Sequence, residues 1–120
     1  MKYFVKKSNY FYGWGNGYVL IPEGHPLHGL NYDEIDISVH GGLTFSGLIT
    51  QETIDYDWSE DLDSGDIGKW CVGFDTSHYG DNVFNWTRSR VLEETINLVE
   101  QLIKYNNLEW TKKKIKYHSF

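Results

Sequence analysis

The chain is organised around residues 69–81, which read KWCVGFDTSHYGD. Its first half, Trp70–Phe74, is apolar enough to predict a buried strand, whereas its second half is a polar loop. Asp75, His78 and Asp81 follow one another in that loop at intervals of three. The stretch therefore predicts a buried strand that carries a set of polar side chains at its end.

A second stretch of similar character, VHGGLTFSG at residues 39–47, suggests that two strand ends form one polar site. Imidazole and carboxylate groups are metal ligands and general acids or bases, but they also cap turns and bond the backbone. No recognised ligand spacing is present, so the sequence assigns no metal, no cofactor and no catalytic residue. The polar cluster comprises His40, Asp75, His78 and Asp81, with His25 and His28 as further candidates.

Alternating or continuous apolar runs predict five strands, at Lys2–Lys6, Tyr18–Ile21, Ile35–Val39, Leu43–Ile49 and Trp70–Phe74. The glycine-rich residues 13–17 read GWGNG and indicate a turn, so the first two strands should form a hairpin. In the first strand, Tyr3 and Val5 should face one side of the sheet and Phe4 the other.

From Thr87 the apolar period changes to that of a helix, with Asn85 or Thr87 as its cap. The central stripe is expected at Leu92, Ile96, Val99 and Ile103, widened by Val91, Leu98 and Leu102. Asn106 and Asn107 should end the helix, and the basic tail 109–120 should be a last strand at 114–117 or a flexible end. These elements predict a single α+β domain over residues 1–120, an antiparallel sheet of about four to six strands with one main C-terminal helix packed on it.

Residues 51–68 are rich in acids and predict an exposed surface loop. Exposed carboxylates beside aromatic rings suit the docking of another protein. The predicted partner-binding residues are Tyr56, Asp57, Trp58, Asp61, Asp63 and Asp66, and the aromatic rings of Trp14, Tyr79 and Trp86 are also expected to be exposed.

The overall charge narrows the classes of partner. The formal net charge is −6, and residues 10–86 carry thirteen acids and a single base. Such a body disfavours contact with the phosphates of nucleic acid. No apolar run is long enough for a membrane span, and the N-terminus has no secretory signal. The single cysteine, Cys71, lies in an apolar run, which predicts a buried thiol in a reducing, cytoplasmic setting.

Three motifs together, PEGHPLHG at 22–29, VHGGLTFSG at 39–47 and GFDTSHYGD at 73–81, resemble a widespread group of small bacteriophage and prophage proteins. The likeness spans roughly residues 17–103. Within that group the chain resembles phage anti-defence proteins that inhibit a bacterial defence-associated sirtuin, an enzyme that depletes NAD. The resemblance implies a non-enzymatic inhibitor that binds a host defence protein in the bacterial cytoplasm.

Two alternatives stay open at this point. The first is a binding protein that sequesters a small nucleotide signal, using stacking aromatic rings, the glycine-rich turns at 13–17 and 41–42, and Arg88 and Arg90 for phosphate. The second is a metal-dependent hydrolase that uses His40, Asp75, His78 and Asp81.

Overall fold

The computed structural model describes residues 1–8, 12–56 and 61–118, with side chains described for all of these except Tyr56 and residues 106–118. It contains four strands, β1 (Tyr3–Lys7), β2 (Gly15–Ile21), β3 (Phe45–Leu48) and β4 (Trp70–Phe74). The helices are α1 (Gln51–Tyr56) and α2 (Arg88–His118), and single 3-10 turns lie at Tyr32–Glu34 and Ser64–Asp66. The predicted α+β fold is therefore confirmed.

All strand pairs are antiparallel, and the spatial order is β1-β2-β4-β3. Strand β4 thus lies inside the sheet, with bounds that match the sequence prediction. Val19 and Val72 stand opposite each other in the two interior strands, and both are fully buried. The hairpin of β1 and β2 is also confirmed, although β2 begins at Gly15, inside the stretch predicted as a turn.

The two faces of the sheet carry two hydrophobic clusters, as the period of two along a strand requires. Tyr3 and Val5 pack into the larger cluster with α2, whereas Phe4 belongs to the smaller one on the opposite face. Cys71 also lies on that opposite face and is 1% exposed. Its burial raises the pKa of the thiol to about 12, as expected for an inert cysteine.

The helix α2 buries a stripe that is shifted by one position from the predicted one. Val91, Thr95, Leu98 and Leu102 are all fully buried, whereas Ile96 and Ile103 are 37% and 43% exposed. Thr95 completes the stripe because its hydroxyl donates to the carbonyl of Val91 at 2.7 Å and so needs no water. The stripe lies against β1 and β2, where Gly17 leaves room for the Thr95 hydroxyl.

The strand predicted at Ile35–Val39 is wrong, because this segment lies outside the sheet. The side-chain amide of Gln101 accepts from the Ser38 N–H at 3.1 Å and donates to the Ser38 carbonyl at 2.7 Å. Ile35 is nevertheless buried and Asp36 exposed. The alternation therefore reports one-sided packing near α2 rather than a strand ladder.

Two further boundaries differ from the sequence prediction. The acidic segment 51–68 is not a simple loop, since it begins with α1 and includes the 3-10 turn at Ser64–Asp66. The helix α2 continues past Asn106 and Asn107 to His118, so the predicted last strand at 114–117 is wrong. Its predicted start is confirmed, because the Thr87 hydroxyl accepts from the N–H of Arg90 at 3.3 Å. No helix in the described residues is both long and apolar enough to cross a membrane.

Candidate functional site: the loop at residues 76–86

His40 and Asp81, which are 41 residues apart in sequence, form the central contact of the predicted polar cluster. The Nε2 atom of His40 lies 2.9 Å from both carboxylate oxygens of Asp81. Because a carboxylate can only accept, Nε2 carries the proton and donates it. The same carboxylate accepts from the backbone N–H of His78 at 3.0 Å. The contact joins the turn after residue 39 to the loop after β4, so the two motifs do meet.

His78 and Asp75 form the second half of the cluster. The Nε2 atom of His78 lies 3.0 Å from Asp75 Oδ1, but the alignment is not that of a hydrogen bond, and this buried nitrogen has no hydrogen-bond partner among the described residues. The His78 ring stands edge-on to the His40 ring, with 5.4 Å between centroids. It also fills the space beside Gly41, whose positive φ of 68° favours glycine and where a Cβ atom would collide with the ring.

A shallow depression of about 290 Å³ opens beside this cluster, lined by His40, Trp86, Arg90, Glu93 and Glu94. A histidine oriented by a buried carboxylate is the geometry of a general base, yet no Ser, Thr or Cys side chain lines the depression among the described residues. Within the same described part of the chain, no group of three or more histidine, cysteine or acidic side chains is arranged to hold a metal ion. The contacts that are present connect two loops.

Two asparagines shape the loop that follows. The Asn82 side-chain oxygen accepts from the N–H groups of Phe84 and Asn85, both at 2.9 Å. Asn85 returns the contact by accepting from the Asn82 N–H at 2.9 Å, and its amide donates to the Gly80 carbonyl at 2.9 Å. Trp86 N–H donates to the Asn82 carbonyl at 2.8 Å. Residues 80–86 are therefore fixed by their own hydrogen bonds.

This fixed loop presents apolar side chains to solvent. Tyr79 is 104% exposed, Phe84 is 91% exposed and Val83 is 53% exposed. Large exposed aromatic rings on an ordered loop lose the burial that usually stabilises a fold, so they are typical of contact surfaces. The predicted exposure of Tyr79 is confirmed. Val83 and Phe84 were not identified from the sequence.

Aromatic and guanidinium stacking supports the base of the loop. Trp86 is 5% exposed, so its predicted exposure is wrong; its ring lies 4.1 Å from that of His40. Arg90 stacks over Trp86 at 4.3 Å, and its guanidinium donates to the Asn85 carbonyl at 2.8 Å. Arg88 lies 5.7 Å over the half-buried ring of Trp14. Both guanidinium groups are consequently held at the surface beside the loop.

Only some residues of the predicted acidic docking surface lie in the part of the chain that the structure describes. Asp57, Trp58 and the side chain of Tyr56 lie outside the description, whereas Asp61 and Asp63 are exposed. Asp66 is 2% exposed, so the expectation that it is a surface acid is wrong. The partner-binding role of the remaining acids stays a prediction.

Asp66 is instead the centre of an ion-pair cluster. Its two oxygens accept from Lys2 Nζ at 2.6 Å and from Lys69 Nζ at 2.9 Å, and Oδ2 also accepts from the Asp63 N–H at 3.1 Å. Burial by itself would raise the pKa of this carboxyl, but the bonds from Lys2, Lys69 and the Asp63 backbone hold the pKa well below its ordinary value of 3.8. The carboxylate is therefore structural.

The other candidate histidines lie elsewhere. His25 is buried, its Nδ1 accepts from the Leu27 N–H at 3.0 Å, and its Nε2–H consequently donates to the Leu102 carbonyl at 2.8 Å. His25 therefore ties the loop after β2 to α2. His28 lies near Trp70, with 6.4 Å between ring centroids. Neither residue joins the cluster of His40 and Asp81.

A second surface feature lies on the sheet face away from α2. Phe4 stacks on Tyr18 at 4.8 Å, and Phe45 meets the same Tyr18 ring edge-on at 5.6 Å. Gly73 between them makes this row possible, because a Cβ atom there would collide with the Tyr18 ring. A depression of about 280 Å³ borders the row, with Lys6 and Glu52 among its lining residues.

Comparison with known proteins gives no further assignment: no family model, no curated protein and no solved structure matches this chain.

Proposed function

We propose that this protein is a phage or prophage anti-defence protein that binds and inhibits a bacterial defence protein, a sirtuin-type NADase, in the host cytoplasm. The proposal takes its setting from the resemblance of the three motifs to phage proteins. The single observation that carries the binding role is the exposure of Tyr79 and Phe84 on a loop fixed by hydrogen bonds.

Preorganisation is the physical reason why this loop suits a binding protein. Ordering a flexible loop on association costs roughly 0.5–1.5 kcal/mol for each immobilised side chain. Residues 80–86 have their backbone set by Asn82 and Asn85 before any partner arrives. Rings of Tyr and Phe then supply contact area with few rotatable bonds.

Co-expression with the defence-associated sirtuin tests the proposal. The expected result is a stable complex in a pull-down and NAD that is preserved when the sirtuin is activated. A purified mixture that elutes as two separate species, together with unchanged NAD loss, would remove this function.

A second candidate function, the binding of a small nucleotide signal, is favoured by the aromatic row of Phe4, Tyr18 and Phe45 and its depression of about 280 Å³. Phe4 is itself buried, but the exposed ring of Phe45 and the half-buried ring of Tyr18 can stack on a base. Calorimetry with cyclic and ADP-ribose-derived nucleotides distinguishes it from the first. Saturable heat in the micromolar range that Phe45→Ser abolishes would support it, and flat heats would count against it.

A further inference from the structure

We infer that the partner is held by an aromatic-arginine surface, defined here as Tyr79, Val83, Phe84, Arg88 and Arg90, and that this surface fits a protein cleft with an apolar floor and an acidic rim. The inference rests on the proposed function and deepens it, because it names which face of the chain binds and what chemistry it meets. It replaces the acidic segment as the source of affinity.

The loop is held by hydrogen bonds, yet its large apolar side chains are not buried. Tyr79 lies in a turn closed by the hydrogen bond from the Asp81 N–H to the His78 carbonyl, and Phe84 lies between the two bonded asparagines. Their side chains are nevertheless 104% and 91% exposed. Burying a Phe side chain stabilises a fold by about 1.5–3 kcal/mol. Because Phe84 is exposed, it does not contribute this stabilisation. Two projecting rings need a concave, apolar counterpart, so a flat polar surface would not fit them.

The positive charge at the edge of the surface indicates that the rim of the partner's cleft is acidic. Arg88 and Arg90 are exposed, and neither forms an ion pair with a described carboxylate. Of the acids nearby, Asp81 accepts from His40, and Glu94 accepts from the His40 N–H and the Asn97 amide. Glu93 is exposed in the same depression as Arg90, so Arg88 is the arginine with fewer acidic neighbours. Trp14 and Trp86 hold the two guanidinium groups in place, but no described carboxylate neutralises their charge, so both can meet carboxylates at the rim of a cleft. Arg with aromatic neighbours is the usual composition of a binding hot spot.

The two kinds of side chain should act at different stages of binding. The whole chain carries a formal charge of −6, so long-range attraction to an acidic rim is not expected. The arginines then act at contact distance, where the loss of a pair changes the off-rate. This differs from the behaviour expected of an exposed acidic segment, which would mainly change the on-rate.

Surface plasmon resonance with the immobilised full-length sirtuin tests the inference. Phe84→Ser together with Tyr79→Ser should raise the Kd by about thirtyfold, as for loss of a hot-spot side chain. Tyr32→Ser is the matched control, because Tyr32 is 43% exposed on a turn outside this surface, and it should leave Kd unchanged. Melting curves should agree among all variants, since the substituted rings are exposed.

Charge reversal supplies the second arm. Arg88→Glu should raise the off-rate by about tenfold with little change in the on-rate. Lys104→Glu is its control, because it makes the same charge change on the same helix about 24 Å along the axis, and it should have no such effect.

The measurements distinguish failure of the proposed function from failure of the proposed surface. If the wild-type protein does not bind the sirtuin, the proposed function and this inference both fail. If the wild type binds and the double aromatic variant binds with equal Kd, only the inference is overturned. A wild-type dimer in analytical ultracentrifugation that the double variant loses would overturn it in favour of self-association. Wild-type binding to anionic lipid vesicles that the double variant loses would overturn it in favour of a membrane.

Discussion

Replacing the buried carboxylate of Asp66 by an amide, Asp66→Asn, tests whether the N-terminal strand is held by an ion-pair cluster. Asp66 is 2% exposed and receives Lys2 Nζ at 2.6 Å and Lys69 Nζ at 2.9 Å. An amide has nearly the same shape, but it loses the charge and turns an N–H donor toward an ammonium group. The contact from the Asp63 N–H can be kept by the amide oxygen.

The expected loss is about 2 kcal/mol of the free energy of unfolding. This lies below the cost of opening a fully buried pair because the side chains of Lys2 and Lys69 are 35% and 55% exposed, so water screens both contacts. For a domain of this size the melting temperature should fall by about 8 °C.

The sign of the pH dependence follows from the lowered pKa of Asp66. In the unfolded chain this carboxyl titrates near its ordinary 3.8, and in the folded protein its pKa lies well below that value. The stabilisation is therefore fully present above about pH 5 and is lost as the pH falls through 3.8 toward the folded pKa. The difference between wild type and Asp66→Asn should shrink correspondingly in acid.

Urea unfolding at pH 7, 5, 4 and 3 measures this difference. Asp63→Asn is the matched control, because Asp63 is exposed and Asn caps a turn as well as Asp does. It should change stability by less than about 0.5 kcal/mol. Equal stability of Asp66→Asn and wild type at pH 7 would refute the reasoning, as would a deficit that stays constant down to pH 3.

Three other predictions concern the core. Leu98→Ala should cost about 3 kcal/mol in urea unfolding and Ile96→Ala less than about 1, because only Leu98 is fully buried; the reverse order would place the wrong face of α2 inside. Gly17→Ala should lower stability by about 2 kcal/mol, since its Cβ would overlap Thr95, and a wild-type melting curve would contradict that packing. The Cys71 thiol, with its pKa raised to about 12, should not react with a thiol reagent at pH 8 until urea unfolds the protein, whereas immediate reaction would mean that it is exposed.

The sequence predicts the strands that have an apolar core on both sides and misplaces features that depend on a single polar contact. Strand β4 is located to the residue, because Trp70–Phe74 is apolar throughout. Ile35–Val39 has the alternation of a strand but not its pairing, because Gln101 takes both backbone groups of Ser38. An alternating pattern shows which side of a segment is buried. It does not reveal that the backbone of Ser38 will bond the side chain of Gln101, 63 residues further along the chain.

The buried stripe of α2 is a second feature that the apolar pattern misplaces. A pattern of apolar residues alone favours the stripe through Leu92 and Ile96, because Thr95 counts as polar. Thr95 becomes a core residue by satisfying its hydroxyl within the helix, at the Val91 carbonyl. Tertiary packing against Gly17 then decides which of two adjacent stripes faces the sheet.

The polar cluster and the exposed loop also belong together more closely than their sequence suggested. The sequence predicts His40 and Asp81 as part of a polar site, and in the structure their contact fixes the start of the loop that exposes Tyr79 and Phe84. The signal that could have revealed the loop is the pair of apolar residues between Asn82 and Asn85, since asparagine side chains bond nearby backbone groups in turns and turns lie at the surface. His40 and Asp81 thus act here by positioning the loop that exposes the apolar side chains of Val83 and Phe84, which carry no titratable group that would mark them as part of a site.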